Sequence, residues 1–103
     1  MKKILNGPSI RPKSELKNAI IFLHGYGANG NDLISIADLW KNSFKETIFL
    51  SPNAPFKCAW GDDAYQWFDL TSISPDKIGE GLNTAGPFLN EYVDDILKVY
   101  SLN

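Results

Sequence analysis

A short apolar segment that passes directly into a glycine-rich turn places the strongest constraint on the fold of this chain. The apolar segment covers residues 19–23, and it is followed by His24 and three closely spaced glycines, Gly25, Gly27 and Gly30. Apolar residues in this segment do not alternate with polar ones, which is typical of a strand covered on both faces in a parallel sheet. The pattern therefore predicts an inner strand, extending to His24, that leads into a backbone loop at a functional site.

The residues after the turn predict an α/β fold. Apolar residues at spacings of three and four predict an amphipathic helix over 31–43, and a second apolar run at 47–50 predicts another strand. A strand, a helix and a strand in this order form a βαβ unit, whose strands are parallel. We therefore expect two or three mostly parallel strands with flanking helices, and a short strand at 3–5 before them.

The second half of the sequence combines an irregular aromatic segment with a long apolar stripe. Residues 52–82 contain repeated prolines and glycines and predict a functional loop, because long loops inside a compact domain usually carry function. The stripe over 85–100 predicts a helix that Thr84 caps, with Pro87 in its first turn. No strand follows in the sequence, so we expect a single partial α/β domain over 1–103 whose sheet has an open edge.

Composition argues against several classes of function. Ten basic and twelve acidic residues are mixed along the chain, and this arrangement does not create the basic surface that nucleic-acid binding needs. No apolar run approaches the ~18 residues of a membrane span, and the N-terminal apolar segment is too short for a secretory signal. One histidine and one cysteine are too few for a zinc cluster. We expect a cytoplasmic chain without a zinc cluster, a membrane span or a nucleic-acid partner.

Two functions compete for the glycine-rich turn. The three glycines spell G-x-G-x-x-G, which is the fingerprint of a dinucleotide-binding turn. That interpretation needs an acidic residue at the end of the next strand, but Ser51, Pro52 and Asn53 stand there. The second interpretation takes His24 and the residues after it as a loop whose backbone N–H groups stabilise an oxyanion during acyl transfer.

Three blocks of sequence favour the second interpretation. They are I-F-L-H-G-Y-G-A-N-G-N-D-L at 21–33, S-P-N-A-P at 51–55 and Q-W-F-D-L at 66–70. Together they closely resemble the phospholipase/carboxylesterase family of α/β-hydrolases, which includes acyl-protein thioesterases and small bacterial carboxylesterases. The resemblance runs from about residue 20 to residue 100 of this sequence and covers the N-terminal portion of a family member.

The resemblance implies hydrolysis of an ester or thioester by a serine nucleophile, without a metal or an organic cofactor. It implies that the backbone N–H of Tyr26 is an oxyanion donor, and that Gly25 and Gly27 allow the loop to turn sharply. His24 is then a loop support held by hydrogen bonds, and the general base lies elsewhere in the family.

The resemblance also implies a substrate pocket. Trp67 and Phe68 are expected to form the wall of the acyl or alcohol pocket, and Tyr26 is expected to contact the substrate beside them. An acyl ester or thioester is the implied substrate.

The sequence departs from the family pattern at the nucleophile. It contains no G-x-S-x-G, and among its eight serines only Ser9 has a glycine two residues before it, in a segment that ends in Arg11. The acid and the histidine that follow the nucleophile in the family are also missing. We therefore expect the chain to be truncated before the nucleophile and inactive alone. The alternative is a non-catalytic module that self-associates through its open sheet edge or docks there onto a complementary C-terminal chain.

Overall fold

A small sheet, a hairpin and a long helix make up the fold. The computed structural model describes residues 5–68 and 74–102. In chain order the elements are β1 (Ser9–Ile10), β2 (Asn18–Ile21), α1 (Asn31–Ile34), α2 (Ile36–Trp40), β3 (Thr47–Leu50), β4 (Phe56–Lys57), β5 (Tyr65–Gln66) and α3 (Pro75–Val99). The α/β class predicted from the sequence is confirmed.

The sheet has the order β1-β3-β2, with β3 at its centre. β2 and β3 are parallel, in a register that pairs Asn18 with Thr47 and Ile21 with Leu50, so the predicted βαβ unit is present. The prediction of an inner strand reaching His24 is wrong, because β2 ends at Ile21 and pairs with β3 alone among the described strands. An uninterrupted apolar run reports burial but cannot distinguish a central strand from a strand at the edge.

β1 lies in a segment that the sequence predicted to be irregular. Ser9 pairs with Leu50 in the antiparallel direction, and the N–H of Ser51 donates to the carbonyl of Pro8 at 3.0 Å. Two residues are too few for any periodicity to be visible in a sequence. Of the short strand predicted at 3–5, the first two residues lie outside the described residues, and Leu5 is buried but not in a strand.

The helix predicted over 31–43 is two short helices, α1 and α2, separated at Ser35. The N–H of Asp38 bonds to the carbonyl of Ser35, three residues back instead of four, so the chain tightens at this point. Ala37 of α2 is fully buried and packs with Phe22 and Phe49 in the main core cluster. This cluster fixes the two helices on one face of the sheet, directly after the glycine-rich turn.

The long helix α3 begins earlier than the sequence predicted. Ser74 is its cap, since the Ser74 hydroxyl accepts from the N–H of Lys77 at 3.2 Å, and Pro75 occupies the first turn. The predicted cap is wrong, because the Thr84 hydroxyl donates to the carbonyl of Glu80 inside the helix and Pro87 is an interior residue. In the described ranges, no helix combines the length and the apolar character that crossing a membrane requires.

The segment 52–82, predicted as a loop, contains the antiparallel hairpin of β4 and β5 and the start of α3. Phe56 of β4 packs edge-on against Phe88 of α3, with ring centroids 5.6 Å apart. The hairpin thereby connects the end of β3 to the long helix and places the aromatic residues between them.

Candidate functional site

A tight turn follows β2 at the end of the sheet where β3 also ends. The N–H of Ala28 donates to the carbonyl of Gly25 at 3.1 Å, and Gly27 has a φ of 80°. Tyr26 has a negative φ, so residues 25–28 form a type II turn, which requires a residue with positive φ at its third position. The N–H of Gly27 donates to the carbonyl of Tyr65 at 2.9 Å, so the hairpin also holds the turn.

His24 connects this turn to the segment after β3. Its side chain is buried, with Nε2 accepting from the N–H of Ala54 at 2.9 Å and Nδ1 lying 2.7 Å from the carbonyl oxygen of Gly25. These two bonds require the neutral ring with its proton on Nδ1, which donates to Gly25. Both ring nitrogens are thus used in holding the backbone.

The residues directly after β3 also hold the glycine-rich loop. The Ser51 hydroxyl donates to the carbonyl of Gly30, and the Asn53 side-chain oxygen accepts from the N–H of Gly30, each at 2.7 Å. A Cβ at Gly30 would overlap the carbonyl oxygen of Ser51, so this close approach requires glycine. Neither Ser51 nor Asn53 was predicted as a site residue. Their position at the carboxyl end of the strand beside β2 is the signal that identifies them, because ligand sites of α/β sheets lie at that edge.

An apolar cavity of about 310 Å³ lies next to His24. The indole N–H of Trp67 donates to the carbonyl of His24 at 3.0 Å, and the two rings lie 5.5 Å apart. Phe68 lies against the backbone of α3 at Gly81, where a Cβ would overlap its ring. The cavity is lined by Leu23, His24, Trp67, Phe68, Leu82, Ala85, Gly86 and Leu89. The structure therefore brings His24, Trp67 and Phe68 together around one cavity.

Tyr26 lies apart from that lining. Its ring packs against Trp60, with centroids 5.4 Å apart, and both side chains are exposed. The edge of Trp60 also covers Gly27, since a Cβ there would lie 3.1 Å from the indole ring. Trp60 was not predicted as a site residue, because nothing in its sequence neighbourhood distinguishes a packed loop aromatic from one at a site.

The site is formed by backbone dipoles and apolar side chains, and within 5–68 and 74–102 no charged side chain lines the cavity. The single cysteine, Cys58, is buried in the hairpin loop and does not line the cavity. Among residues 5–68 and 74–102, no group of three His, Cys, Asp or Glu side chains is placed to hold a metal ion. The arrangement is suited to hold an uncharged apolar group beside a rigid backbone turn.

Comparisons with known proteins identify the family. The phospholipase/carboxylesterase family matches residues 7–99 of this chain. The crystal structure of esterase PE8 superposes with a TM-score of 0.87 at 35% sequence identity, and the match covers 97% of this chain and 48% of the esterase. The chain thus spans about half the length of that esterase. Since the matched residues include the sheet, the turn after β2 and the long helix, the chain belongs to the phospholipase/carboxylesterase family of α/β-hydrolases.

Proposed function

We propose that these residues form the oxyanion side and one pocket wall of a serine hydrolase that cleaves carboxylic esters or thioesters. The observation that carries the proposal is the type II turn at residues 25–28, which His24 and β5 hold from two sides next to an apolar cavity. A rigid backbone turn beside an apolar pocket meets the two needs of acyl transfer, which are a donor for the developing oxyanion and a place for the acyl group.

In this proposal the N–H of Tyr26 donates to the oxyanion of the tetrahedral intermediate. The Gly25–Ala28 hydrogen bond and the bonds of His24 fix the turn before substrate arrives, so little reorganisation is needed when charge develops. A second donor comes in α/β-hydrolases from the residue after the nucleophile. Trp67 and Phe68 hold the acyl or alcohol group.

The nucleophile lies outside these 103 residues, because they contain no G-x-S-x-G. The serine, the acid and the histidine must come from further polypeptide. The chain alone is therefore inactive towards esters, since a charge-stabilising turn has no effect on a step that no nucleophile starts.

The sheet edge supports a second candidate, a non-catalytic assembly module. In the described part of the sheet, β2 pairs on one side only, and a groove of about 230 Å³ lies between β2 and the C-terminal half of α3. Ile21, Val93, Ile96 and Leu97 contribute apolar surface to this groove. Unpaired N–H and C=O groups next to apolar surface favour addition of a strand. A complementary chain that carries the nucleophile strand, or a second copy, fits this edge.

The test of the main proposal joins the chain to a family segment that carries the G-x-S-x-G serine, the acid and the histidine. We expect hydrolysis of p-nitrophenyl butyrate by the joined protein and none by the 103-residue chain. Tyr26→Pro removes the backbone N–H donor but is compatible with the turn, because proline is favoured at the second position of a type II turn. The kcat should fall by about 10²–10³, the effect of losing one oxyanion donor.

Tyr26→Phe is the matched control, since it keeps the backbone N–H and should keep kcat. An equal kcat for Tyr26→Pro and the parent would refute the role of the turn.

For the second candidate, mixing the chain with the separate family segment should give a stable complex on size-exclusion chromatography. Formation of that complex without esterase activity would favour the assembly module over the hydrolase.

A further inference from the structure

One face of α3 forms the wall of the cavity opposite the aromatic residues. Leu82, Ala85, Gly86 and Leu89 are spaced at i, i+3, i+4 and i+7, so they lie on a single helix face, and all four line the cavity. Trp67 and the other residues that precede α3 line the remaining side. Two leucines, one at each end of this face, enclose two of the smallest residues.

Two glycines of α3, Gly81 and Gly86, differ in what surrounds them. A Cβ at Gly81 would overlap the ring of Phe68, so this glycine lets the aromatic wall sit directly on the helix backbone. A Cβ at Gly86 would meet no atom within 4 Å, although Gly86 lines the cavity. The space in front of Gly86 is therefore open, on a face of the helix that lines the cavity, and is available to a ligand.

The position and chemistry of the cavity specify the group that it accepts. Leu23 and His24 line the cavity and directly precede the turn that carries the Tyr26 N–H. A substrate whose carbonyl binds at the turn therefore has its acyl chain close to the cavity. Among the residues that the structure describes, those that line the cavity carry no charged side chain, which favours an aliphatic group. A cavity of about 310 Å³ lies within the size range of ligand pockets and has room for an aliphatic chain of several carbons.

We propose that α3 sets the acyl-chain length that this site accepts, and that Gly86 is the residue that leaves room for the far end of the chain. This inference rests on the proposed function, because it states where the acyl group of the proposed ester substrate binds and what limits its length. A side chain at position 86 fills the cavity and shortens the acyl group that fits, while the turn is unchanged.

The test measures ester binding to the 103-residue chain labelled with 5-fluorotryptophan. The chain has three tryptophans, of which Trp67 lines the cavity and Trp40 and Trp60 do not, and single Trp→Phe variants assign the three ¹⁹F resonances. Methyl esters of four, six, eight and ten acyl carbons are titrated. We expect saturable shifts of the Trp67 resonance that are strongest for the eight-carbon ester, with little movement of the other two.

Gly86→Leu should weaken binding of the eight-carbon ester at least tenfold and leave the four-carbon ester nearly unchanged. Gly79→Leu is the matched control, because Gly79 lies on the same helix, also has no atom within 4 Å of an added Cβ, and does not line the cavity. Gly86→Ala, which adds one methyl group and favours the helix, should give an intermediate loss and provides a readout even if the leucine variant does not fold.

Equal binding of the eight-carbon ester by the parent and both Gly86 variants would overturn the proposal, as would shifts of all three tryptophan resonances. Failure of the acyl-length proposal is distinguishable from failure of the proposed hydrolase function. In the joined protein, loss of kcat in Tyr26→Pro reports the oxyanion turn whatever the acyl-chain length that α3 permits.

Discussion

The two sides of the candidate pocket are held in place by different means. On the turn side, directional hydrogen bonds from buried groups fix the backbone, with Ser51 fully buried and His24 only 3% exposed. On the helix side, only Gly81 and Ala85 of the 25 residues of α3 are buried, and Leu82 is 57% exposed. A hydrogen-bond donor needs a fixed direction, whereas an apolar wall needs only surface and volume, because the hydrophobic effect is non-directional.

This difference predicts where a single added methyl group is tolerated. Gly30→Ala on the turn side should destabilise the chain by about 3 kcal/mol, because the new Cβ meets the backbone of Ser51, which the sheet holds in place. Gly25→Ala is the control, since a Cβ there meets no atom within 4 Å. Urea unfolding measures both free energies of unfolding. Equal stability of the two variants would mean that the turn side is not rigid.

Removing the imidazole tests the hydrogen bonds of the turn side more directly. His24→Phe keeps an aromatic ring but leaves the N–H of Ala54 and the carbonyl of Gly25 without this partner, at a cost of about 2 kcal/mol. Trp67→Phe removes one bond, to the carbonyl of His24, and should cost about 1 kcal/mol. The two values come from thermal unfolding monitored by circular dichroism. A larger loss of stability in Trp67→Phe than in His24→Phe would mean that Trp67, and not His24, is the main support of the turn.

On the helix side, the same substitution should have opposite signs at two nearby positions. Gly81→Ala forces Phe68 to move and should destabilise by about 1–2 kcal/mol. Gly79→Ala meets open space and should stabilise by up to about 1 kcal/mol, through its higher helix propensity. Urea unfolding of both variants measures the difference. Stabilisation in both would show that Phe68 does not lie against α3.

The same difference explains how much the sequence could predict. The run that ends at His24 and the apolar segment at 47–50 predicted parallel pairing, since periodicity and element order depend on local composition. The contacts of Ser51 and Asn53 with Gly30 join residues more than twenty positions apart, and no local pattern specifies such pairs. The glycines before Thr84 predict a loop, and the sequence therefore predicts a later start for α3 than the structure shows. Capping by Ser74, together with Pro75, outweighed the low helix propensity of these glycines.

The smallest effect concerns the C-terminal half of α3. Burial, and to a lesser extent the neighbouring Tyr100, raises the pKa of Tyr92 from 10.0 to about 12. The neutral phenol is thus favoured in the folded chain, so its contribution to stability is complete below pH 10 and is lost as the pH rises through about 12. We expect the free energy of unfolding to fall more steeply over this range in the parent than in Tyr92→Phe, as measured by urea unfolding at each pH. Parallel pH profiles would mean that Tyr92 is as hydrated in the folded chain as in the unfolded one, and that the C-terminal half of α3 does not bury this ring.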